Sequence, residues 1–325
     1  MTRDELLNDF IANNVANVKE VVSKQPDASF RSYSRVITDT GSFIVMNSPP
    51  DKEPIDDFIK VCNHLIENGF TAPKIHAMDK ENGFLLLQDF GDDTVSNLLK
   101  NGTDAKPLYE MAIDTLVELH KSPFITAINV NPYDAPTYMR EVELLKDWFI
   151  PFVFGEMSVK QQADFKHAWL NVITELPMVR STLVLRDYHV DNIMMVDGKC
   201  GLLDFQDALI GNPAYDVASL LQDVRIDVDD EKYYYNRYKE KMNSGESFDK
   251  SYDILCAQRH AKVLGIFIRL YQRDNKPSYL KFLPRTLMLF KQSLNSPHLT
   301  AIKKYFDENY PDFFEKSQDS INKLL

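Results

Sequence analysis

Residues Leu183 to Asp216 read LVLRDYHVDNIMMVDGKCGLLDFQDALIGNPAYD. Asp187 and Asn192 stand five apart in a polar segment that leaves a short apolar, strand-like run. Two further strand-like runs flank Asp197-Gly198, a two-residue hairpin signal, and the second ends at Asp204. A hairpin brings its two ends together. The spacing therefore predicts that Asn192 and Asp204 offer one amide and one carboxylate oxygen to a single hard cation, with Asp187 across from them. Magnesium takes oxygen ligands and keeps water and phosphates in its remaining positions, which leaves Asp187 to accept a proton from an attacking hydroxyl. Asp and Asn also favour turns and caps. That explains any one of the three residues but not all three in this order.

Upstream of this stretch the chain is β-rich. Thr2 to Glu5 is a capping-box signal, and Leu7, Phe10, Ile11, Val15, Val18 and Val22 follow at helical spacing, so an opening helix is expected over 4–23. Phe30 to Ile37 and Ser42 to Met46 flank a Thr38-Asp39-Thr40-Gly41 turn and read as a hairpin. Pro54 opens a helix carrying Phe58, Val61, Cys62, Leu65 and Ile66 on one face, with Gly69 just past its end. Lys74 to Met78 and Phe84 to Gln88 form a second hairpin about Asn82-Gly83. Helical patterns then dominate, apart from the β island that contains Asp187. The expected fold is α+β in two lobes: a small β-rich lobe over 1–90, a hinge near 88–91, and a larger, mainly helical lobe over 91–325. A cleft between lobes is a common ligand site.

Composition narrows the function. The chain has 325 residues, with 37 Lys and Arg against 48 Asp and Glu and a formal net charge of −11, which argues against nucleic acid as a partner. Its 11 glycines include no G-x-G pair, so the dinucleotide fingerprint, the glycine-rich kinase loop and Walker A are all missing. Cys62, Cys200 and Cys256 are odd in number and far apart, as neither a disulfide framework nor a zinc site would be. The longest apolar run, Trp148 to Phe154, contains Pro151 and is far too short to span a bilayer. The acids of MTRDELLNDF do not suit a signal peptide. A cytoplasmic protein with no membrane association is expected.

A catalytic-loop Asp followed by an Asn and a second Asp is the division of labour of kinases. The chain resembles the aminoglycoside phosphotransferase and protein-kinase-like superfamily. Within it, the chain is most similar to bacterial cell-wall sugar kinases that phosphorylate N-acetylmuramate and N-acetylglucosamine at the anomeric hydroxyl. The matching stretches are ASFRSYSRV (28–36), FIVMNSPP (43–50), GFLLLQDFGDDT (83–94), LVLRDYHVDNIMM (183–195), GLLDFQDALIGNPAYDVASLLQD (201–223) and QRHAKVLGIFIRLYQRDNKPSYLKFLPR (258–285). The resemblance implies ATP and Mg2+ as cofactors, Asp187 as catalytic base, Asn192 and Asp204 as metal ligands, and Gln88, Asp89 and Phe90 as the hinge that meets adenine. It makes Asp216 a structural acid bracing the catalytic loop. It further implies a place in peptidoglycan recycling, with a sugar-1-phosphate uridylyltransferase downstream.

Two departures stand out. Leu185 occupies a position where many superfamily members have His, and Met46 stands where the ATP-orienting lysine is expected. The resemblance makes the second a mark of the sugar-kinase branch. Ser29, Arg31 and Arg35 on the first hairpin are candidates for the phosphate contact; the two arginines read equally as solvated strand-edge cations.

For the acceptor, Arg259, Lys262, Arg269 and Arg273 fall on nearly one helical face, beside His260. Such a stripe either meets a substrate carboxylate, for which guanidinium is well shaped, or is a solvated, ion-paired face. His189, Gln206 and Asp207 are candidates for sugar hydroxyls. The alternatives in view are an aminoglycoside or other small-molecule hydroxyl phosphotransferase, and a catalytically silent nucleotide-binding pseudokinase.

Overall fold

The hydroxyl of Thr2 accepts the N–H of Glu5 while the Glu5 carboxylate accepts that of Thr2, so the capping box forms and starts α1 (Arg3–Asn14). The computed structural model describes residues 1–24 and 30–325; Ser29, one of the expected phosphate contacts, lies outside them. The helix expected over 4–23 is shorter. It ends at Asn14, Asn17 turns the chain at a φ of 54°, and Val18–Ser23 becomes β1. The β-branched Val18, Val21 and Val22 favour an extended chain, and pairing with the next strand outweighs a spacing that also suits a helix.

The chain continues through β2 (Ser32–Thr38), β3 (Ser42–Asn47), α2 (Asp56–Glu67), β4 (Ile75–Asp79), β5 (Phe84–Gln88), α3 (Val95–Lys100) and α4 (Ala105–Lys121). There follow α5 (Ala135–Leu144), α6 (Ile150–Phe154), α7 (Val159–Ile173), β6 (Thr182–Val184), β7 (Ile193–Val196), β8 (Lys199–Leu202) and β9 (Leu209–Gly211). The remainder is α8 (Ala214–Leu221), α9 (Glu231–Met242), α10 (Glu246–Gln272), α11 (Leu283–Ser293), α12 (Thr300–Asn309) and α13 (Phe313–Asn322).

Contacts divide the chain into two units. One comprises Met1–Thr115, Ser122–Ile128 and Val190–Ala208; the other comprises Leu116–Lys121, Asn129–His189 and Leu209–Leu325. In the first, β1–β5 form an antiparallel sheet in the order β1-β2-β3-β5-β4. Period-2 alternation sends Val36, Val45, Phe84 and Leu86 to one face, where they close a core with Phe10, Ile11 and Val15. Ile44 and Leu87 point to the opposite face. The β7–β8 hairpin belongs to the same unit: Leu202 donates to Thr71 O at 2.8 Å, and Met195 to Asp93 O at 2.8 Å.

The second unit is mainly helical. Buried α10 runs through it against α5, α8 and α11. A Cβ at Gly265 would lie 2.2 Å from the carbonyl carbon of Leu144, so only glycine permits this approach. β6 pairs with β9, flanking the loop that carries Asp187. Among the described residues no helix is long and apolar enough to cross a membrane. All three cysteines are buried thiols.

Candidate active site

In the first unit, a pocket of about 210 Å³ opens against the sheet face that carries Ile44 and Leu87. Phe58, Phe90, Met194 and Leu203 complete its apolar walls, a flat, greasy lining suited to a planar base, while Lys24, Tyr33, Asn192 and Asp204 supply polar groups. Gln88, Asp89 and Phe90, the expected hinge, all line it. A Cβ at Gly201 would come 3.0 Å from the Phe90 ring, so a bare backbone at that point of β8 lets the ring take its place.

The two expected phosphate arginines lie elsewhere. The Nε of Arg35 is 2.6 Å from Asp89 Oδ2 and its Nη1 2.7 Å from Asp92 Oδ2; its Nη2 donates to Gly91 O at 2.9 Å. Burial disfavours ionisation of Asp89, yet Arg35, the Ser42 hydroxyl and the Gly91 N–H together hold its carboxyl below its ordinary value. The side chain therefore clamps the Asp89–Asp92 segment to β2. Arg31 is largely buried, with Nε 3.2 Å from Glu53 Oε2. Neither arginine is among the described residues lining the pocket.

The hairpin forms as its sequence predicts. Asp197 (φ 48°) and Gly198 (φ 75°) make the tight turn, Ile193 pairs with Leu202, and Leu203 N–H donates to Asn192 O at 3.0 Å. This register draws together the side chains that flank the two strands: Asn192 Nδ2 lies 3.4 Å from Asp204 Oδ2. Asp204 adopts a φ of 55°, a left-handed conformation that Asp tolerates better than most residues. One amide and one carboxylate at the polar end of a pocket fit Mg2+, a hard cation that keeps several positions for water and phosphate. Buried Gln206 donates to Asp204 Oδ1 at 2.8 Å, so it orients the carboxylate; Asp207 is exposed.

In the second unit, Asp187 sits on a loop fixed from every side. The buried Asp216 carboxylate accepts the N–H of Leu185 at 2.7 Å and that of Arg186 at 2.9 Å. Arg186 has a φ of 69°, a strained conformation for a residue with a side chain. The bonds around it hold that strain: Ser219 Oγ and Arg259 Nη1 donate to its carbonyl, and its guanidinium pairs with Glu141. Leu185 is buried here, its place in the loop set by its backbone bond to Asp216.

Asp187 itself keeps 38% of its side chain exposed, and Arg259 Nη1 approaches its Oδ1 to 3.8 Å. Burial pushes its carboxyl up, but Lys262, Arg259, Arg186 and Arg225 outweigh that and hold it below its ordinary value. His189 is buried, and desolvation with the fields of Arg225 and Arg259 pushes its imidazole far down, so it stays neutral.

Beneath the loop, buried Glu141 takes Lys262 Nζ at 2.9 Å, Gln258 Nε2 at 2.8 Å, Tyr133 Oη and Arg186. Burial opposes its ionisation; Lys262, Arg186 and these hydrogen bonds bring its carboxyl down to about 2.

The basic stripe therefore splits. Arg259 and Lys262 are buried and their charges act on Asp187, so the solvated-face reading fails for them. Arg269 and Arg273 follow Arg259 by ten and fourteen residues, roughly 15 and 21 Å along the helix axis. The structure does not bring them to Asp187: Arg269 is half-buried, and Arg273 is exposed on Asp274, with Nε–Oδ1 at 2.8 Å. Three charged residues were missed in the sequence: Lys24 in the pocket, Arg225, whose charge acts on Asp187, and Glu141 beneath the Asp187 loop. Arg225 and Glu141 lie outside any motif, and Lys24 stands alone in a polar run, so no pattern marked them.

A sheet-backed apolar pocket edged by an Asn–Asp pair, and a braced loop carrying an ionised Asp, define a phosphotransferase of protein-kinase-like fold. The chain matches the model of the phosphotransferase enzyme family over residues 24–241. It is 37% identical over 283 residues to the N-acetylmuramate/N-acetylglucosamine kinase of Pseudomonas aeruginosa, covering 82% of this chain and 81% of that one. To the protein of the same name from Neisseria meningitidis serogroup B it is 36% identical over 277 residues, covering 80% and 81%. Among solved structures it is similar in fold to an amicoumacin kinase in complex with AMP-PNP and Ca2+, with a TM-score of 0.64 at 13% identity, covering 91% of this chain and 95% of that one. The chain belongs to the phosphotransferase enzyme family. It is a kinase, an ATP-dependent phosphotransferase.

Proposed function

We propose that the protein phosphorylates the anomeric hydroxyl of N-acetylmuramate, and of N-acetylglucosamine, at the expense of ATP. The observation that carries this reading is an Asp187 kept ionised by a cluster of cations, five residues along the chain from an Asn192–Asp204 amide–carboxylate pair at the polar end of a base-sized pocket. The names of the relatives that are identical to it at over a third of the aligned residues support the choice of sugar.

In this reading residues 1–90 form the nucleotide lobe with a hinge near 88–91, and 91–325 the lobe for the sugar. Gln88, Asp89 and Phe90 receive the adenine, and Arg35 fixes the hinge that they form. Asp187 orients the anomeric hydroxyl and accepts its proton as the oxygen attacks phosphorus in line. Asn192 and Asp204 would hold Mg2+, which offsets charge on the β- and γ-phosphates when bound. Gln206 keeps the Asp204 carboxylate aimed, and neutral His189 and exposed Asp207 are offered to sugar hydroxyls. Arg225 and Arg259, whose fields reach Asp187, suit an acceptor that carries a carboxylate, as the lactyl group of N-acetylmuramate does. The 1-phosphate would pass to a uridylyltransferase in peptidoglycan recycling, in the cytoplasm.

An acceptor screen across amino sugars, aminoglycosides and choline tests the reading. Turnover that requires N-acetylmuramate or N-acetylglucosamine supports it; turnover on a cationic acceptor alone points to the aminoglycoside-type alternative. ATP binding without turnover on any acceptor points to the silent one.

A further inference from the structure

The position where an ATP-orienting lysine is expected holds Met46, which is fully buried. The sheet register shows what stands beside it. Met46 pairs with Tyr33 across β2–β3, and beyond Tyr33 the N–H of Lys24 donates to the Tyr33 carbonyl at 2.8 Å, continuing the register in which Ser23 faces Ser34. Lys24, Tyr33 and Met46 thus occupy one rung across three strands. Residues paired across strands point to the same face, and on this face Lys24 and Tyr33 line the pocket that Asn192 and Asp204 also edge. Successive strands lie about 4.8 Å apart, so the charge stands roughly 10 Å along the rung from Met46.

The surroundings leave Lys24 available. Its side chain is exposed, and its charge acts on the Asp92 carboxyl without a salt bridge between them among the described residues. Arg35 is occupied by Asp89 and Asp92, and Arg31 is drawn to Glu53. A triphosphate entering the pocket would bring several negative charges to its polar end, and Lys24 is the one lysine or arginine among the described residues that line it.

Resting on the reading of this pocket as the nucleotide site, we propose that Lys24 is the phosphate-contacting cation, moved two strands along the rung from where a β3 lysine would stand.

The test measures binding of ATP, ADP and adenosine by titration calorimetry to the wild type, Lys24→Ala and Lys24→Arg, alongside KM for ATP and for the sugar. Lys24→Ala should weaken ATP and ADP by about tenfold to a hundredfold, the loss expected when one charge-assisted hydrogen bond is removed. Adenosine affinity and KM for the sugar should stay as in the wild type, and Lys24→Arg should recover most of the loss. Equal weakening of adenosine and ADP, or unchanged ADP binding, would overturn the proposal. If the wild type binds none of the three nucleotides, the nucleotide-site reading fails instead, which is a separate outcome. Matching thermal unfolding curves for the three proteins guard against misfolding.

Discussion

Arg259 Nη1 lies 3.8 Å from Asp187 Oδ1, at the end of a guanidinium that is itself buried. A buried cation at that range favours the ionised carboxylate. The carboxyl of Asp187 is therefore held below its ordinary value, and the ionised form that the proposed base requires is present at any pH above that lowered value. Arg259→Gln keeps most of the side chain's bulk and removes the charge. We expect the acidic limb of the kcat/KM profile to move to higher pH, with Arg259→Lys in between. A limb that stays in place while kcat falls would make Arg259 a packing residue only.

Glu141 joins Lys262, Arg186, Tyr133 and Gln258 under the Asp187 loop. Removing one partner from such a buried set costs about 3–5 kcal/mol because the remaining charges are left uncompensated. Glu141→Gln should therefore unfold at markedly lower urea concentration at pH 7. The pH dependence has a definite sign. The folded-state carboxyl is lowered to about 2 from an ordinary value of 4.5, so its stabilisation is complete above that ordinary value and is lost as pH falls from 4.5 through 2. Urea unfolding between pH 6 and 3 should show a steeper loss in the wild type than in Glu141→Gln.

Asp216 accepts two backbone N–H groups that shape the loop before Asp187. In Asp216→Asn one acceptor becomes a donor facing a donor, which leaves a buried group unsatisfied at a cost of about 1–3 kcal/mol. Both stability and kcat should fall, whereas ADP affinity, which the proposed function places in the other unit, should be unchanged. Nucleotide titration beside a kinetic assay checks this. Loss of ADP affinity would show that the acid does more than shape the loop.

The β hairpins, α2 and the approach of Asn192 to Asp204 were legible because each depends on local turn chemistry and period, which a short window contains. Asn82-Gly83 and Asp197-Gly198 announce their turns with glycine at positive φ. The first helix was read too long because Val15, Val18 and Val22 satisfy a helical period, while the partner strand that claims Val18–Ser23 lies further along the chain. The basic stripe was legible as a face but not in depth: Arg259 reaches the Asp187 loop while Arg273, just past the end of the same helix, lies in solvent, and periodicity says nothing about distance along the axis. Lys24 was invisible because its significance is that of a rung, which exists only once β1, β2 and β3 are paired.

The most direct measurement follows the product of the enzyme incubated with ATP, Mg2+ and N-acetylmuramate by phosphorus and proton NMR. Expected is sugar-dependent formation of ADP with a phosphate ester coupled to the anomeric proton, slowed by about 10² to 10⁴ in Asp187→Asn, the usual worth of a positioned general base. ATP consumption that does not depend on the sugar, or a phosphate on any other hydroxyl, would contradict an anomeric kinase.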